Sequence, residues 1–329
     1  MNFDLLISNL GNPAFLFFLL GILAVKFKSD LEIPANSSKF ISIYLLFSIG
    51  FKGGQHLSHE HFSFEIVWSM IFGLLLSLLI PFYSFFILKK KLNVYDSAAI
   101  AAAYGSVSAV TFVTAVSYLE SQKLYWDGHM VAIMAIMESP AIISGLILAT
   151  LYNGFNKGNS LLDSKSTSLL SVVRHSLTNG SVFLIIGSLV IGFLVNAKQA
   201  EGIKPFTNDI FKGFLAIFLL DMGISSGRKL KDFVTNGWFP IAFACIIPLV
   251  NGALAAMLSS LVTDEIGNRF LFSILAASAS YIAVPAAIKI AIPQANPGIY
   301  LPMALVVTFP INITIGMPFY LYIIENVKL

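Results

Sequence analysis

The chain has 329 residues, of which 57% are hydrophobic and only 11% are charged, with 20 Lys and Arg against 17 Asp and Glu. Because an ordinary soluble domain has about 25% charged residues, this composition excludes a soluble globular protein. Uncharged windows near or above the roughly 20 residues of a membrane helix recur along the chain, and they are continuously apolar rather than alternating as in a porin-type barrel. The sequence therefore predicts an all-α polytopic membrane protein.

Ten predicted membrane spans follow one another, and a polar stretch separates the fifth from the sixth. The spans cover residues 13–27, 39–54, 64–88, 97–119, 128–152, 179–197, 206–227, 236–262, 269–292 and 298–324. We therefore expect one five-helix unit at residues 1–152, a linker at 153–178 and a second five-helix unit at 179–329.

The distribution of Lys and Arg predicts the orientation, because cytoplasmic loops attract positive charge. The loops after odd-numbered spans hold 13 of these residues and the opposite side holds seven. The seven are Lys52, Lys123, Lys198, Lys204, Lys212, Arg269 and Lys328. We therefore expect both termini outside a prokaryotic inner membrane and the linker in the cytoplasm.

Short internal matches predict a repeat, which decides the architecture before any single motif does. GFKGGQHL at residues 50–57 matches GISSGRKL at 223–230, and SVSAV at 106–110 matches SYIAV at 280–284. A unit with five spans crosses the membrane an odd number of times, so its second copy must run in the opposite direction. The sequence therefore predicts two inverted five-helix repeats, which are typical of many secondary transporters.

The matched spans 4 and 9 have better chemistry for a binding site than the matched spans 2 and 7. Pro285 in span 9 suits the first turn of a new half-helix, so we expect both spans to be broken and to cross at the midplane. Half-helix N-termini lined by hydroxyl groups would favour a small oxyanion. Alternatively, these small and hydroxyl-bearing residues form an ordinary packing surface between membrane helices. The residues concerned are Gly105, Ser106, Ser108, Thr111, Ser278, Ser280 and Tyr281.

Glu138 is the only carboxylate deep within span 5, where an ionisable side chain is costly unless it faces a cavity, a partner or an ion. It predicts a cation site or a proton-linked gate, with a structural carboxyl group beside Pro140 as the alternative. His56, His59 and His61 fit an exposed polar loop better than a metal site. No resident metal or cofactor is expected.

Five motifs carry a resemblance that covers essentially the whole chain: GGxxL after span 2, YGSVSAVT, MESPA, ASASYIAVP and IPQANPGIY. Through these motifs the sequence resembles the sodium-dependent bicarbonate transporter family known from cyanobacteria. The resemblance implies sodium-coupled uptake of bicarbonate and a homotrimer. It also implies a core of spans 3–5 and 8–10 that moves against spans 1, 2, 6 and 7.

The resemblance also implies which side chains bind each ion. The anion would meet Gly105, Ser106, Ser108, Ser278, Ser280 and Tyr281, and sodium would use Thr111 and Glu138. Family members have a serine-rich run that ends in an acidic residue in span 9, where this chain has Ala279 and Tyr281. Another small anion or a carboxylate therefore stays open as the substrate.

Other classes of protein fit the sequence less well. A passive channel would need a continuous polar pore, whereas the polar residues cluster at two predicted breaks. An intramembrane hydrolase would need a nucleophile and a base, and no span carries a convincing pair, so no enzymatic activity is expected. The linker is short, so control by a PII-like signalling protein is unsupported.

Overall fold

The computed structural model describes residues 13–60, 63–154, 180–234 and 237–327, and the regular structure in these ranges is helical throughout. The α-helices are α1 (Pro13–Lys26), α2 (Ala35–His59), α3 (Phe64–Leu88), α4 (Val94–Gly105), α5 (Ala109–Ser121), α6 (His129–Gly154), α7 (Gly180–Leu194), α8 (Ala197–Glu201), α9 (Phe211–Val234), α10 (Trp238–Leu258), α11 (Ile266–Ala277), α12 (Ala283–Ala291), α13 (Pro297–Pro302), α14 (Phe309–Ile311) and α15 (Met317–Asn326). A 3-10 turn follows α10 at Ser259–Leu261, and π-helical turns lie at Pro205–Asp209, Met303–Thr308 and Asn312–Gly316.

Six helical stretches of the described chain are long and apolar enough to cross a membrane. They are Phe64–Leu88, Val94–Ser121, His129–Tyr152, Pro205–Leu230, Trp238–Leu261 and Pro297–Asn326. Shorter apolar helices lie at Phe15–Lys26, Gly180–Leu194 and Ile266–Ala277. The prediction of an all-α, multi-pass membrane protein is confirmed, whereas the predicted linker lies outside the described residues from position 155 onward.

The structure contains two bundles of helices, and each bundle is followed in the chain by a helix that packs against the other bundle. Helices α3, α4 and α6 pack together, and α10 and α11 pack with the C-terminal segment that begins at α13. Helix α5, which follows α4, packs against α11 of the other bundle, while α12, which follows α11, packs against α4 and α6. The interrupted helix α4–α5 and the interrupted helix α11–α12 therefore contact each other near their interruptions.

Two further helix pairs flank these bundles, and glycine brings the backbones of each pair close together. Helix α1 packs on α9 and helix α2 packs on α7. A Cβ atom at Gly21 would lie 2.3 Å from the Leu220 carbonyl oxygen, and one at Gly54 would lie 2.1 Å from that of Leu189. Only residues without a side chain allow such an approach, as is common between membrane helices.

The loop that contains the IPQANPGIY motif joins the start of α4 to the start of α13. The amide of Asn296 donates to Asp96 Oδ1 at 2.6 Å, and the side chain of Asn296 accepts from the Gly298 amide at 2.9 Å. Asn93 in turn caps α4 by accepting from the Asp96 amide at 2.8 Å. Asn296 of this motif therefore caps α13, as Asn93 caps α4.

The last predicted span is less regular than the sequence suggested. Residues 298–324 were predicted as one span, and within it α-helical turns alternate with two π-helical turns. Within the second π turn, Asn312 Nδ2 donates to the Ala277 carbonyl at 2.7 Å and Asn312 Oδ1 accepts from the Tyr320 hydroxyl at 3.1 Å. The π turn thus aims an amide at the free C-terminal end of α11, a role that π-helical insertions often serve.

Candidate functional site

The two helix breaks are bonded to one another through their backbones. The first break covers residues 106–108 and the second covers 278–282. The amide of Ser108 donates to Ser278 Oγ at 3.1 Å, and the amide of Ser280 donates to the Ala103 carbonyl at 2.8 Å. Each break therefore satisfies polar groups of the other, and their relative position is fixed.

The helices that follow the breaks begin in different ways. Ser108 caps α5, because its side chain accepts from the Thr111 amide at 3.2 Å. No side chain caps α12 at Ile282, although Ser280 Oγ lies at a longer 3.4 Å from the Val284 amide. Pro285 is the third residue of α12, as predicted for a proline in a first helical turn.

A small cavity of about 30 Å³ lies beside the breaks, and it has room for about two water molecules. Its wall is formed by α2, α5, α6, the start of α7 and the second break, and most of it is apolar. The polar side chains that line it are Ser42, Ser108, Glu138, Ser181, Ser280 and Tyr281. A few polar groups in an apolar, enclosed pocket are the usual composition of a small-molecule site.

The predicted site residues divide into four that line this cavity and four that lie behind it. Ser108, Ser280, Tyr281 and Glu138 line it. The remaining four are buried at or next to the breaks: Gly105, Ser106, Thr111 and Ser278. The structure therefore brings all eight residues into one region, but only half of them face the cavity.

Of the four residues that do not line the cavity, Gly105 packs on α3, Ser278 and Thr111 form hydrogen bonds, and Ser106 forms no side-chain hydrogen bond among the described residues. A Cβ atom at Gly105 would lie 2.0 Å from Cγ of Pro81, so α3 packs directly on the end of α4. Ser278 Oγ accepts from Ser108 and donates to the Leu275 carbonyl at 3.1 Å. Ser106 is fully buried, and its hydroxyl forms no hydrogen bond with any residue that the structure describes.

Glu138 is the acidic side chain of the cavity. It is only 7% exposed and lies on α6, two residues before Pro140. No Lys, Arg or His within the described ranges lies within ion-pair distance of its carboxylate. A buried carboxylate that faces a cavity without a protein cation is a potential ligand for a small cation or a site of protonation.

Tyr281 forms the part of the wall contributed by the second break. Its ring packs edge-on against Phe309, with 6.2 Å between ring centroids. Its hydroxyl is buried and forms no hydrogen bond of normal geometry with the described residues. A buried phenol oxygen without a partner is costly, so this group is available to a polar molecule in the cavity.

The hydroxyl groups that α2 and α7 contribute to the small cavity were not predicted from the sequence. Ser42 and Ser181 line the cavity, yet Ser42 lies in no matched segment and Ser181 only begins SVFLIIGSL, which matches PAFLFFLLG loosely. Only the packing of α2 on α7, and of α2 on α5 and α6, brings them to the cavity. Nothing in the sequence signalled this contact.

At the histidine-rich end of α2, His56 and Glu60 contact other parts of the protein, whereas His59 is exposed as predicted. The ring of His56 stacks on Trp126 with 4.7 Å between centroids, and Glu60 accepts from the Gly128 amide and pairs with His129 at 2.9 Å. His61 lies outside the described residues. Among those described, no group of three His, Cys, Asp or Glu could hold a metal ion.

Comparison with protein families gives one match over nearly the whole chain. Residues 13–325 match the Na+-dependent bicarbonate transporter superfamily. The match contains both breaks, the cavity and every described helix apart from Asn326, the last residue of α15. Comparison with curated proteins gives no match.

Proposed function

Because the chain belongs to the Na+-dependent bicarbonate transporter superfamily, we propose that this transporter imports bicarbonate into the cell by coupling it to an inward sodium gradient. The observation that carries the proposal is the cavity beside the two breaks. It combines an uncapped helix N-terminus, hydroxyl donors and one unpaired carboxylate within a mostly apolar wall.

Bicarbonate binds at the second break in this proposal. The positive end of the α12 dipole faces the break, and Ser280 and Tyr281 offer hydroxyl donors there. Ser108 adds a hydroxyl from the first break, while Gly105, Ser106 and Ser278 hold the breaks in position behind it. A neutral set of donors suits a monovalent oxyanion, because it leaves no fixed cation to trap the anion.

Sodium binds next to the anion in the same proposal. A hard cation prefers oxygen ligands, and the Glu138 carboxylate supplies the negative one. Thr111 lies on the first turn of α5, bonded through its amide to Ser108, and contributes oxygen close to the break. The present volume of about 30 Å³ holds about two water molecules, so the cavity must widen to take both ions. In the widened, low-dielectric cavity the two ions neutralise one another, which makes their binding mutually dependent.

Alternating access by an inverted repeat is the mechanism that we propose for the transport step. The contact of α1 with α9 resembles that of α7 with α2, because Gly21 and Gly223 meet in the first pair and Gly192 and Gly54 in the second. Such relatedness supports two inverted five-helix units. The bundles that carry the breaks would then move against the pairs formed by α1, α2, α7 and α9, within a homotrimer whose termini face outside the inner membrane.

Another small anion is the second candidate substrate, and Tyr281 is the observation that favours it. At this position the family pattern that the sequence resembles has a serine-rich run ending in an acidic residue. Here a bulky phenol forms part of the wall, and Ala279 is buried without lining the cavity. The change alters both the charge and the shape of the proposed anion site.

Uptake of labelled bicarbonate into proteoliposomes tests the proposal. An inward sodium gradient should drive accumulation above that given by a matched potassium gradient. Glu138→Gln should remove the dependence on sodium, whereas Glu325→Gln, at the exposed end of α15, should preserve it. Absence of bicarbonate uptake by folded protein, together with sodium-driven uptake of nitrate or acetate, would establish the second candidate instead.

A further inference from the structure

A second cavity, much larger than the first, lies at one end of α2 and α5 and has a volume of about 760 Å³. Four lysines line it: Lys52 from α2, Lys198 from α8, Lys204 from the turn after α8 and Lys212 from α9. Glu120 and Glu201 are its only acidic lining residues in the described chain, so lysines outnumber carboxylates by two. We call this cavity the basic vestibule.

Among the described residues, one of the four lysines of the basic vestibule forms an ion pair with a carboxylate and the other three do not. Lys52 forms an ion pair with Glu120 at 3.1 Å and lies over the ring of Phe211, 4.6 Å from its centroid. Lys198, Lys204 and Lys212 have no carboxylate of a described residue within ion-pair distance. Three unpaired ammonium groups around one cavity produce a positive potential that concentrates anions.

The walls of the basic vestibule are held by specific hydrogen bonds. Gln55 Nε2 donates to the carbonyls of Gly192 and Val195, the latter at 2.9 Å, and so fixes α2 to the end of α7. Asn196 and Gln199 cap α8 reciprocally. Asn208 Oδ1 is buried in the lining without a hydrogen-bond donor among the described residues. These hydrogen bonds therefore hold the walls of the basic vestibule in position.

The distribution of charge along the sequence makes this grouping unusual. Lys52, Lys198, Lys204 and Lys212 are four of the seven Lys and Arg residues on the side where positive charge is scarce. Scattered surface lysines would be spread over that whole side of the protein. Their concentration around one cavity indicates an anion as the ligand.

The basic vestibule lies above the small cavity along the same two helices. On α2, Leu46 lines the small cavity and Lys52 lines the vestibule, and on α5 the corresponding residues are Val113 and Glu120. At 1.5 Å per residue, both helices place the two cavities about 10 Å apart. The two cavities therefore share α2 and α5 as walls.

We infer that the basic vestibule is a second anion-binding site, which captures the substrate oxyanion on the outer side before it reaches the small cavity. This inference rests on the proposed function for the identity of the anion and the direction of transport. Binding there is weak and exchanges rapidly, because the three free lysines are exposed to solvent. Its effect is to raise the local concentration of the anion.

The transport test uses a triple substitution, Lys198→Gln with Lys204→Gln and Lys212→Gln, in the full-length protein. We expect KM for bicarbonate to rise about threefold to tenfold, and the dependence of the uptake rate on ionic strength to weaken. Lys90→Gln with Lys91→Gln and Lys123→Gln removes the same charge outside the cavity and should leave both quantities unchanged. An unchanged KM and salt dependence in the first variant would overturn the inference.

A binding test separates this inference from the proposed function, because it requires no transport. Acetylation of individual lysines is measured by mass spectrometry in sodium bicarbonate and in sodium chloride at equal pH and ionic strength. Bicarbonate should slow the modification of Lys198, Lys204 and Lys212 relative to Lys90, Lys91 and Lys123, and should do so in Ser280→Ala as well. Equal rates in both salts would overturn the inference, even if the protein transports bicarbonate.

The lipid composition of the vesicles distinguishes a free anion from a lipid headgroup. In phosphatidylcholine vesicles the protection should depend on bicarbonate alone. Protection by phosphatidylglycerol without bicarbonate, and none by bicarbonate in phosphatidylcholine, would assign the cavity to an anionic lipid and overturn the inference.

Discussion

The two helix breaks differ in how completely the protein satisfies them. At the first break, Ser108 caps the following helix and donates its amide to Ser278, and the one hydroxyl without a partner among the described residues, that of Ser106, does not line the cavity. At the second break, the side-chain contact to the start of α12 is the long 3.4 Å bond that Ser280 Oγ accepts from the Val284 amide, and Pro285 removes an amide from the first turn. The Tyr281 hydroxyl forms no hydrogen bond of normal geometry with the described residues. The second break is also longer, with five residues against three.

This difference assigns separate roles to two breaks that look alike in sequence. A break whose donors are already bonded holds its neighbours in position and offers little to a ligand. A break with an uncapped helix N-terminus exposes its dipole and donors to the cavity. We therefore expect substitutions at the first break to affect stability more, and those at the second to affect anion affinity more.

The largest effect should come from Gly105→Ala at the first break. The new Cβ would lie 2.0 Å from Cγ of Pro81, and a proline ring within a helix cannot rotate away. We expect the free energy of unfolding to fall by about 3 kcal/mol and uptake to be lost with it. Thermal unfolding of the purified protein measures this change.

Gly187→Ala is the matched control for Gly105→Ala, because a Cβ atom at Gly187 would meet nothing within 4 Å. It should leave the unfolding temperature unchanged or raise it slightly, since alanine favours helix over glycine. Equal unfolding temperatures for both variants would show that α3 does not pack tightly on the end of α4.

A smaller loss of stability is expected from Asn312→Ala, which acts on the helix that precedes the second break. Without the amide, the Ala277 carbonyl at the end of α11 and the Tyr320 hydroxyl each lose a hydrogen bond. The Tyr320 hydroxyl keeps the Pro248 carbonyl as an acceptor at 3.2 Å, but the buried Ala277 carbonyl is left without a partner, which costs about 2 kcal/mol. Asn326→Ala is the control, because Asn326 bonds only to the Tyr322 carbonyl of its own exposed turn.

The sequence predicted the helices and the position of the second break better than it predicted the cavity. Long uncharged windows and Pro285 are local features of the sequence. Such features predict helices and helix breaks without any knowledge of how the helices pack. The π turns that aim Asn312 at α11, and the contacts that bring Ser42 and Ser181 to the cavity, depend on distant helices. Such long-range contacts leave no pattern in a single span.

The predicted repeat shows the same limit of sequence-based prediction. The short matches pair Gly50 with Gly223, whereas the close contacts of the structure relate Gly54 to Gly223. Both registers place a glycine at the contact, because α2 carries glycine at residues 50, 53 and 54. A glycine-rich segment therefore indicates that a close contact exists without fixing which residue makes it.

Ser280→Ala and Ser108→Ala compare the two breaks directly with the same chemical change. Loss of a hydroxyl donor to an anion costs roughly 1.5 kcal/mol, so Ser280→Ala should raise KM for bicarbonate about tenfold. Ser108→Ala should mainly lower stability, by about 1 kcal/mol, through loss of the cap on α5. Ser273→Ala, whose hydroxyl bonds to the Arg269 carbonyl of its own helix, controls for a buried serine. A larger KM effect from Ser108→Ala would reverse the roles assigned here.

The smallest change in KM for bicarbonate is expected from Tyr281→Phe. Comparing this change with the change in unfolding temperature shows whether the hydroxyl binds the anion. Removing a buried hydroxyl that lacks a partner should leave the unfolding temperature unchanged or slightly higher, because no protein hydrogen bond is lost. If that hydroxyl binds the anion, KM should nevertheless rise about threefold, a change that folding cannot explain. Uptake and thermal unfolding are therefore measured on the same preparation. An unchanged KM would make Tyr281 a wall of the cavity only, and Ser280 with the α12 N-terminus would remain as the donors of the second break.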